Sequence, residues 1–106
     1  MSESNHQPVL SKEQIDSVIA LYSNGQYQEA IDTIILLTKN YPENSLLNNI
    51  AGACYVGLGQ LGSAVKSYEK AISIDPEYSK AYFNLGDAYH LQGNYDESIV
   101  SYEKAI

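Results

Sequence analysis

The chain has no tryptophan, one cysteine, one phenylalanine and six basic residues among its 106 amino acids. Each shortage excludes something. A single thiol, Cys54, cannot build a disulfide framework or a thiolate zinc cluster; it fits a small buried hydrophobe in a reducing compartment. Two histidines, His6 and His90, do not make a metal site, so no metal and no cofactor is expected. Thirteen acidic residues against six basic ones leave a net charge of −7. That argues against nucleic acid or an anionic membrane as partner, because both require clustered Lys and Arg. No run of eighteen apolar residues occurs, so no membrane-spanning helix is expected. The opening MSESNHQPV lacks the basic and apolar regions of a signal peptide, and the expected location is cytoplasmic. Gly57-Leu58-Gly59 follows no strand and reads as a helix terminus, not a dinucleotide loop.

What the chain does have is a period. Gly25, Gly59 and Gly93 are spaced by 34 residues, as are Tyr27, Leu61 and Tyr95, then Ala30, Ala64 and Ser98, and Pro42 and Pro76. A fixed period of this length marks a repeat array in which each unit buries its apolar face on its neighbours. In the central unit Leu47, Ile50, Ala51, Cys54, Tyr55 and Leu58 recur at three- and four-residue steps, the stripe of one helix. Gly59 terminates it, since glycine enters the left-handed conformation without a Cβ penalty. Leu61, Ala64, Val65, Tyr68, Ala71 and Ile72 form a second stripe, which stops at Asp75-Pro76. Gly52 and Gly86 occupy the same mid-helix place in successive units, although glycine there costs about 1 kcal/mol against alanine. Close approach of another helix is the expected reason.

The boundaries expected are a flexible lead at 1–10, a divergent first unit at 11–44, a second at 45–78 and a third at 79–106. Ser11 to Gln14 resembles a capping box that opens a first helix running to about Ser23. Tyr27 to about Lys39 forms the second helix, with an unusually apolar Ile31, Ile34, Ile35, Leu36 and Leu37. The third unit supplies helices over Lys80 to about Gln92 and Tyr95 to Ile106, with no polar capping helix after them. That pattern suggests either a fragment of a longer protein or an end that pairs with another molecule.

These residues carry a family pattern. Leu85-Gly86, Tyr89, Gly93, Tyr95, Ser98, Tyr102 and Ala105 resemble the tetratricopeptide repeat, and Ala51-Gly52, Tyr55, Gly59, Leu61, Ala64, Tyr68, Ala71 and Pro76 repeat it. The resemblance covers residues 11–106. It implies an all-α, right-handed superhelical solenoid of three helix-turn-helix repeats, six helices in all, with tyrosines in the large aromatic positions. The first repeat departs from the pattern, with Ser17 and Val18 in place of the large-apolar–glycine pair. The third repeat is also similar to repeats that precede transferase domains in bacterial proteins, and to the repeat arm of O-linked N-acetylglucosamine transferases.

The resemblance further implies that the first helix of each repeat lines a concave face that binds a protein or peptide. Mapped by the 34-residue offset, that face takes Lys12, Ile15, Asp16, Ile19 and Tyr22, then Leu46, Asn49, Ile50, Ala53 and Val56, then Lys80, Phe83, Asn84, Asp87 and His90. Ile15, Ile19, Tyr22, Asn49, Ile50, Ala53, Phe83, Asn84, Asp87 and His90 are the candidate partner-binding residues. Asn84 resembles an asparagine that reads peptide backbone in the transferase arm, because an amide both donates and accepts. The alternative is a plain helix-surface amide. Ile15 and Ile19 stand where a carboxylate-clamping repeat domain would carry lysine and asparagine, which argues against chaperone tails. His90 and Asp87 could share a helix face, yet no nucleophile accompanies them, so catalysis is not expected. The function expected is a protein-interaction scaffold. The alternatives are a structural repeat array that self-associates, as a homo-oligomer, through the uncapped last helix, or a substrate-recognition arm of a larger transferase.

Overall fold

A computed structural model describes residues 9–106. The expected lead at 1–10 falls mostly outside them, although Leu10 packs against the first core cluster. Among the described residues there are six helices and no strand: α1 Lys12–Ser23, α2 Tyr27–Thr38, α3 Ser45–Gly57, α4 Leu61–Ile74, α5 Ser79–Gln92 and α6 Tyr95–Ala105. They pair as α1/α2, α3/α4 and α5/α6 and stack in file into a body of 53 × 28 × 18 Å. Each pair is too thin to bury its own apolar stripe, so the core runs through the stack.

The local signals act as physical chemistry requires. Ser11 Oγ accepts the Gln14 amide at 3.1 Å, and Gln14 Oε1 accepts the Ser11 amide at 2.9 Å, a complete capping box. Asn44 caps α3 by accepting the Leu47 amide at 2.9 Å. Gly59 turns the chain from α3 into α4 at φ +75°, where a Cβ would be strained. Asp75 is extended ahead of Pro76 and ends α4.

Two packed clusters fill the interior. One gathers Val18, Ile31, Ile34, Leu47 and Cys54; the other gathers Ala64, Tyr68, Leu85 and Ala88. Gly52 lies under the Tyr68 ring and Gly86 under the Tyr102 ring, and a Cβ at either would fall within 2.7 Å of ring carbons. In the first repeat the equivalent positions are Val18 and Ile34, both buried in one cluster. A bulkier residue under a slimmer one replaces the ring-over-glycine pair. The apolar run of α2 divides: Ile31 and Ile34 are buried, while Ile35 and Leu36 are exposed. Ser98, where the second repeat has Ala64, is buried and donates its hydroxyl to the Gly86 carbonyl at 2.8 Å.

Candidate functional site

The first helices touch each other in file, α1 with α3 and α3 with α5, whereas α2, α4 and α6 make no contact with one another. The row with closer neighbours is the inner side of the curve. A groove of about 440 Å³ opens on that side.

Helix α1 gives the groove Ile19 and Tyr22, and α3 gives Leu46, Asn49, Ile50, Ala53 and Val56. Tyr68 reaches it from α4, Tyr78 from the link between α4 and α5, and Lys80, Asn84 and Asp87 from α5. Much of the wall is aliphatic and aromatic, and some of its polar groups are tied by hydrogen bonds. Asn84 Nδ2 donates to Asn49 Oδ1 at 3.1 Å, tying α5 to α3. Tyr102 of α6 donates its hydroxyl to Asp87 Oδ1, and this hydrogen bond is the main cause that raises the Tyr102 phenol above its ordinary value. Burial pushes the Tyr68 hydroxyl up strongly, with Tyr22 and Asp87 adding to the effect in that order. Burial also raises Tyr78, against the pull of the neighbouring Asn49 amide. At the margin of the same face Lys12 Nζ meets Asp16 Oδ2 at 2.8 Å on the exposed surface of α1.

Of the ten candidate residues, Ile19, Tyr22, Asn49, Ile50, Ala53, Asn84 and Asp87 line this one groove. Two of them are more deeply set than a surface list implies. Ile50 is 8% exposed and belongs to the core cluster, and Asn49 is 5% exposed. A charge placed at Ile50 would therefore disrupt the fold before it tested binding.

Ile15, Phe83 and His90 are not among the groove's lining residues. Phe83, half exposed, sits 5.5 Å from the Tyr102 ring and lines a separate apolar cavity of about 490 Å³ with Ser79, Lys80, Ala105 and Ile106. Its place follows from the period. Phe83 is the 34-residue translate of Asn49, the residue that faces the next first helix, and no further helix stands beside α5 among the described residues. His90 is exposed and rests against the Tyr95 ring at 5.2 Å.

Sequence reasoning missed Tyr68 and Tyr78. Tyr68 lay on the apolar stripe of α4, so it read as core; it is core by its ring and groove by its position. A tyrosine at a core position of every period after the first was the available signal, because a phenol needs a polar outlet. Cys54 is fully buried, and burial pushes its thiol up to about 11. Among the described residues no group of three His, Cys, Asp or Glu side chains could hold a metal, and no helix is long and apolar enough to cross a membrane.

Known proteins resemble the chain in sequence and in fold. A family model described as TPR repeat matches residues 52–93, and one described as tetratricopeptide repeat matches 81–106. Small glutamine-rich tetratricopeptide repeat-containing protein 2 of Saccharomyces cerevisiae is 34% identical over 84 residues, which are 79% of this chain and 24% of that protein. The chain thus spans about a quarter or less of the length of the curated relatives it matches. The Sgt2 TPR domain from Aspergillus fumigatus superposes with a TM-score of 0.83 at 28% identity, covering 90% of this chain and 65% of that one. The second TPR of Spaghetti (RPAP3), bound to the HSP90 peptide SRMEEVD, superposes with a TM-score of 0.83 at 25% identity over 88% of this chain and 86% of that one. Period, paired helices and matching models agree, and the chain belongs to the tetratricopeptide-repeat family.

Proposed function

We propose that this chain is a protein-interaction module whose inner groove takes an extended segment of a partner protein. The groove itself carries the reading. Its apolar walls come from α1 and α3, and its fixed amides and one carboxylate converge on them, the composition of a site that binds by shape and orients by a few polar groups. The similarity to a repeat domain that holds a peptide supports it. Catalysis has no support: Cys54 is buried with its thiol protonated, and His90 sits outside the groove. The test is capture from a random heptapeptide library on the immobilised chain. Ile19→Asp, at an exposed groove position, should remove the enrichment and leave the helical circular dichroism intact. Phe83→Asp, on the separate end cavity, should leave the enrichment in place. Enrichment that survives Ile19→Asp refutes the groove.

A second reading is self-association through α5 and α6. Ser79, Lys80, Phe83, Tyr102, Ala105 and Ile106 are the 34-residue translates of Ser45, Leu46, Asn49, Tyr68, Ala71 and Ile72. In the middle repeat Tyr68 and Ala71 of that set are buried, whereas Phe83 and Ile106 lie open. Glu13, Ser17 and Ala20 are exposed on α1 at the translates of the stacking residues Leu47, Ala51 and Cys54, so a second copy would meet this end with its own α5/α6 end and not with α1. Sedimentation equilibrium decides: a monomer at every concentration removes this reading.

A further inference from the structure

The floor of the groove holds more polarity than its own contacts use. Tyr68 is 3% exposed, and among the described residues nothing hydrogen-bonds its hydroxyl. Among the described residues no fully buried side-chain oxygen or nitrogen lacks a partner, so that hydroxyl keeps some exposure, and Tyr68 lines the groove. Asp87 lines the same groove and is half-buried. Its Oδ1 is held by the Tyr102 hydroxyl, while Oδ2 has no partner among the described residues. The one ion pair among those residues is Lys12–Asp16 on the exposed surface of α1, so Asp87 is in no ion pair. Lys80 is two helical turns away along α5, about 10 Å. A carboxylate partly withdrawn from water and left without a counter-charge is costly, and a ligand that brings the cation relieves that cost.

We propose that the groove selects partner segments carrying an arginine or lysine, whose cationic head seats between Asp87 Oδ2 and the Tyr68 hydroxyl. This rests on the peptide-groove reading above and adds the charge of the ligand. An arginine fork donates one N–H to the carboxylate and another to the phenol oxygen, a geometry suited to a planar, multi-donor head. Tyr102 is a positioning residue: it occupies one carboxylate oxygen and leaves the other facing the groove. Asn84, joined to Asn49, retains its amide oxygen for a backbone N–H of the same segment. Ile19 and Ala53 then take the flanking side chains. The net charge of −7 draws cationic segments toward the molecule. The preference is opposite to that for an acidic tail of the SRMEEVD kind, which would place its own carboxylates against Asp87.

The test is a positional-scanning library of acetylated, amidated heptapeptides, read by fluorescence anisotropy against the whole chain, Asp87→Asn and Tyr68→Phe. Arginine or lysine fixed at one position should bind about tenfold or more tighter than citrulline there. Asp87→Asn, which still accepts from Tyr102, should erase that preference, and Tyr68→Phe, which keeps the ring, should reduce it. The melting temperatures of both variants serve as the folding control. Binding without any charge preference overturns this inference and leaves the groove reading standing. A preference for aspartate or glutamate, or tighter binding of SRMEEVD, overturns it in favour of an acidic ligand. No binding by any member overturns both readings.

Discussion

Replacing Gly52 by alanine adds one methyl group where the structure has no room for it. The new Cβ would lie 2.4, 2.6 and 2.7 Å from carbons of the Tyr68 ring. Real contacts at a Cβ are wider than 3.0 Å, so the ring or the helix must move. Tyr68 is 3% exposed and packs with Ala64, Leu85 and Ala88, so its displacement carries the α4–α5 contact with it. Overpacking of this kind costs about 1–3 kcal/mol. Against it, alanine gains about 1 kcal/mol of helix propensity over glycine. The net expectation is a loss of about 0–2 kcal/mol. Gly62→Ala is the control, because nothing lies within 4 Å of a Cβ there and α4 simply gains propensity. The two variants should therefore differ by about 1–3 kcal/mol, or roughly 4–20 °C in melting temperature for a domain of this size. Gly86→Ala should fall between them: its Cβ meets Tyr102 at 2.6 Å, but that ring is half-exposed on the last helix and can swing aside. Urea titration and thermal melts followed by circular dichroism measure all three. If Gly52→Ala proves as stable as Gly62→Ala, the ring-over-glycine contact does not set the helix spacing. A stronger check transplants the first repeat's solution: Tyr68→Ile should recover part of the stability lost by Gly52→Val.

Further expectations concern other links in the chain of causes. Ser11→Ala removes the N-cap of α1 and should cost about 1 kcal/mol, seen first as faster amide exchange in α1; unchanged exchange there would discount the capping box. Ser98→Ala deletes the hydroxyl bond to the Gly86 carbonyl and should cost about 0.5–1.5 kcal/mol, whereas a neutral result would mean the alanine of the second repeat packs equally well in the third. The Cys54 thiol lies at about 11 in the fold against 9.0 when unperturbed, so the folded state holds its proton longer than the unfolded state does. Its contribution is complete below about pH 9 and is lost as the pH rises from there to about 11, so the urea midpoint should fall across that window and fall less steeply in Cys54→Ala. By the same burial, a thiol reagent at neutral pH should label Cys54 in urea and not in buffer; equal labelling would place the thiol at the surface.

Much of this architecture is legible in the sequence, because its signals are local. The 34-residue period, the Ser11 cap, Gly59 and Asp75-Pro76 each act through the backbone of a few neighbouring residues, and each element formed where those residues placed it. The mid-helix glycines foretold a close approach, since nothing in an isolated helix favours them. Repetition also placed the first helices on one face, and seven of the ten candidate binding residues line one groove.

What the sequence could not settle depends on which neighbour covers each surface. Phe83 and Asn49 hold the same place in their repeats, yet Asn49 is covered by α5 and Phe83 is open, because exposure belongs to the stack and not to the unit. Ile50 reads both as packing stripe and as groove, and it belongs to the core cluster while lining the groove. Tyr68 reads as core, and the stacking of the pairs also sets it in the inner groove that Asp87 lines. The sequence by itself determined that this chain makes paired helices at a fixed interval. Tertiary structure alone decided that the phenols of Tyr68 and Tyr78 join Asn49, Asn84 and Asp87 in one groove, since that convergence is set by how successive pairs pack and leaves no trace in any one of them.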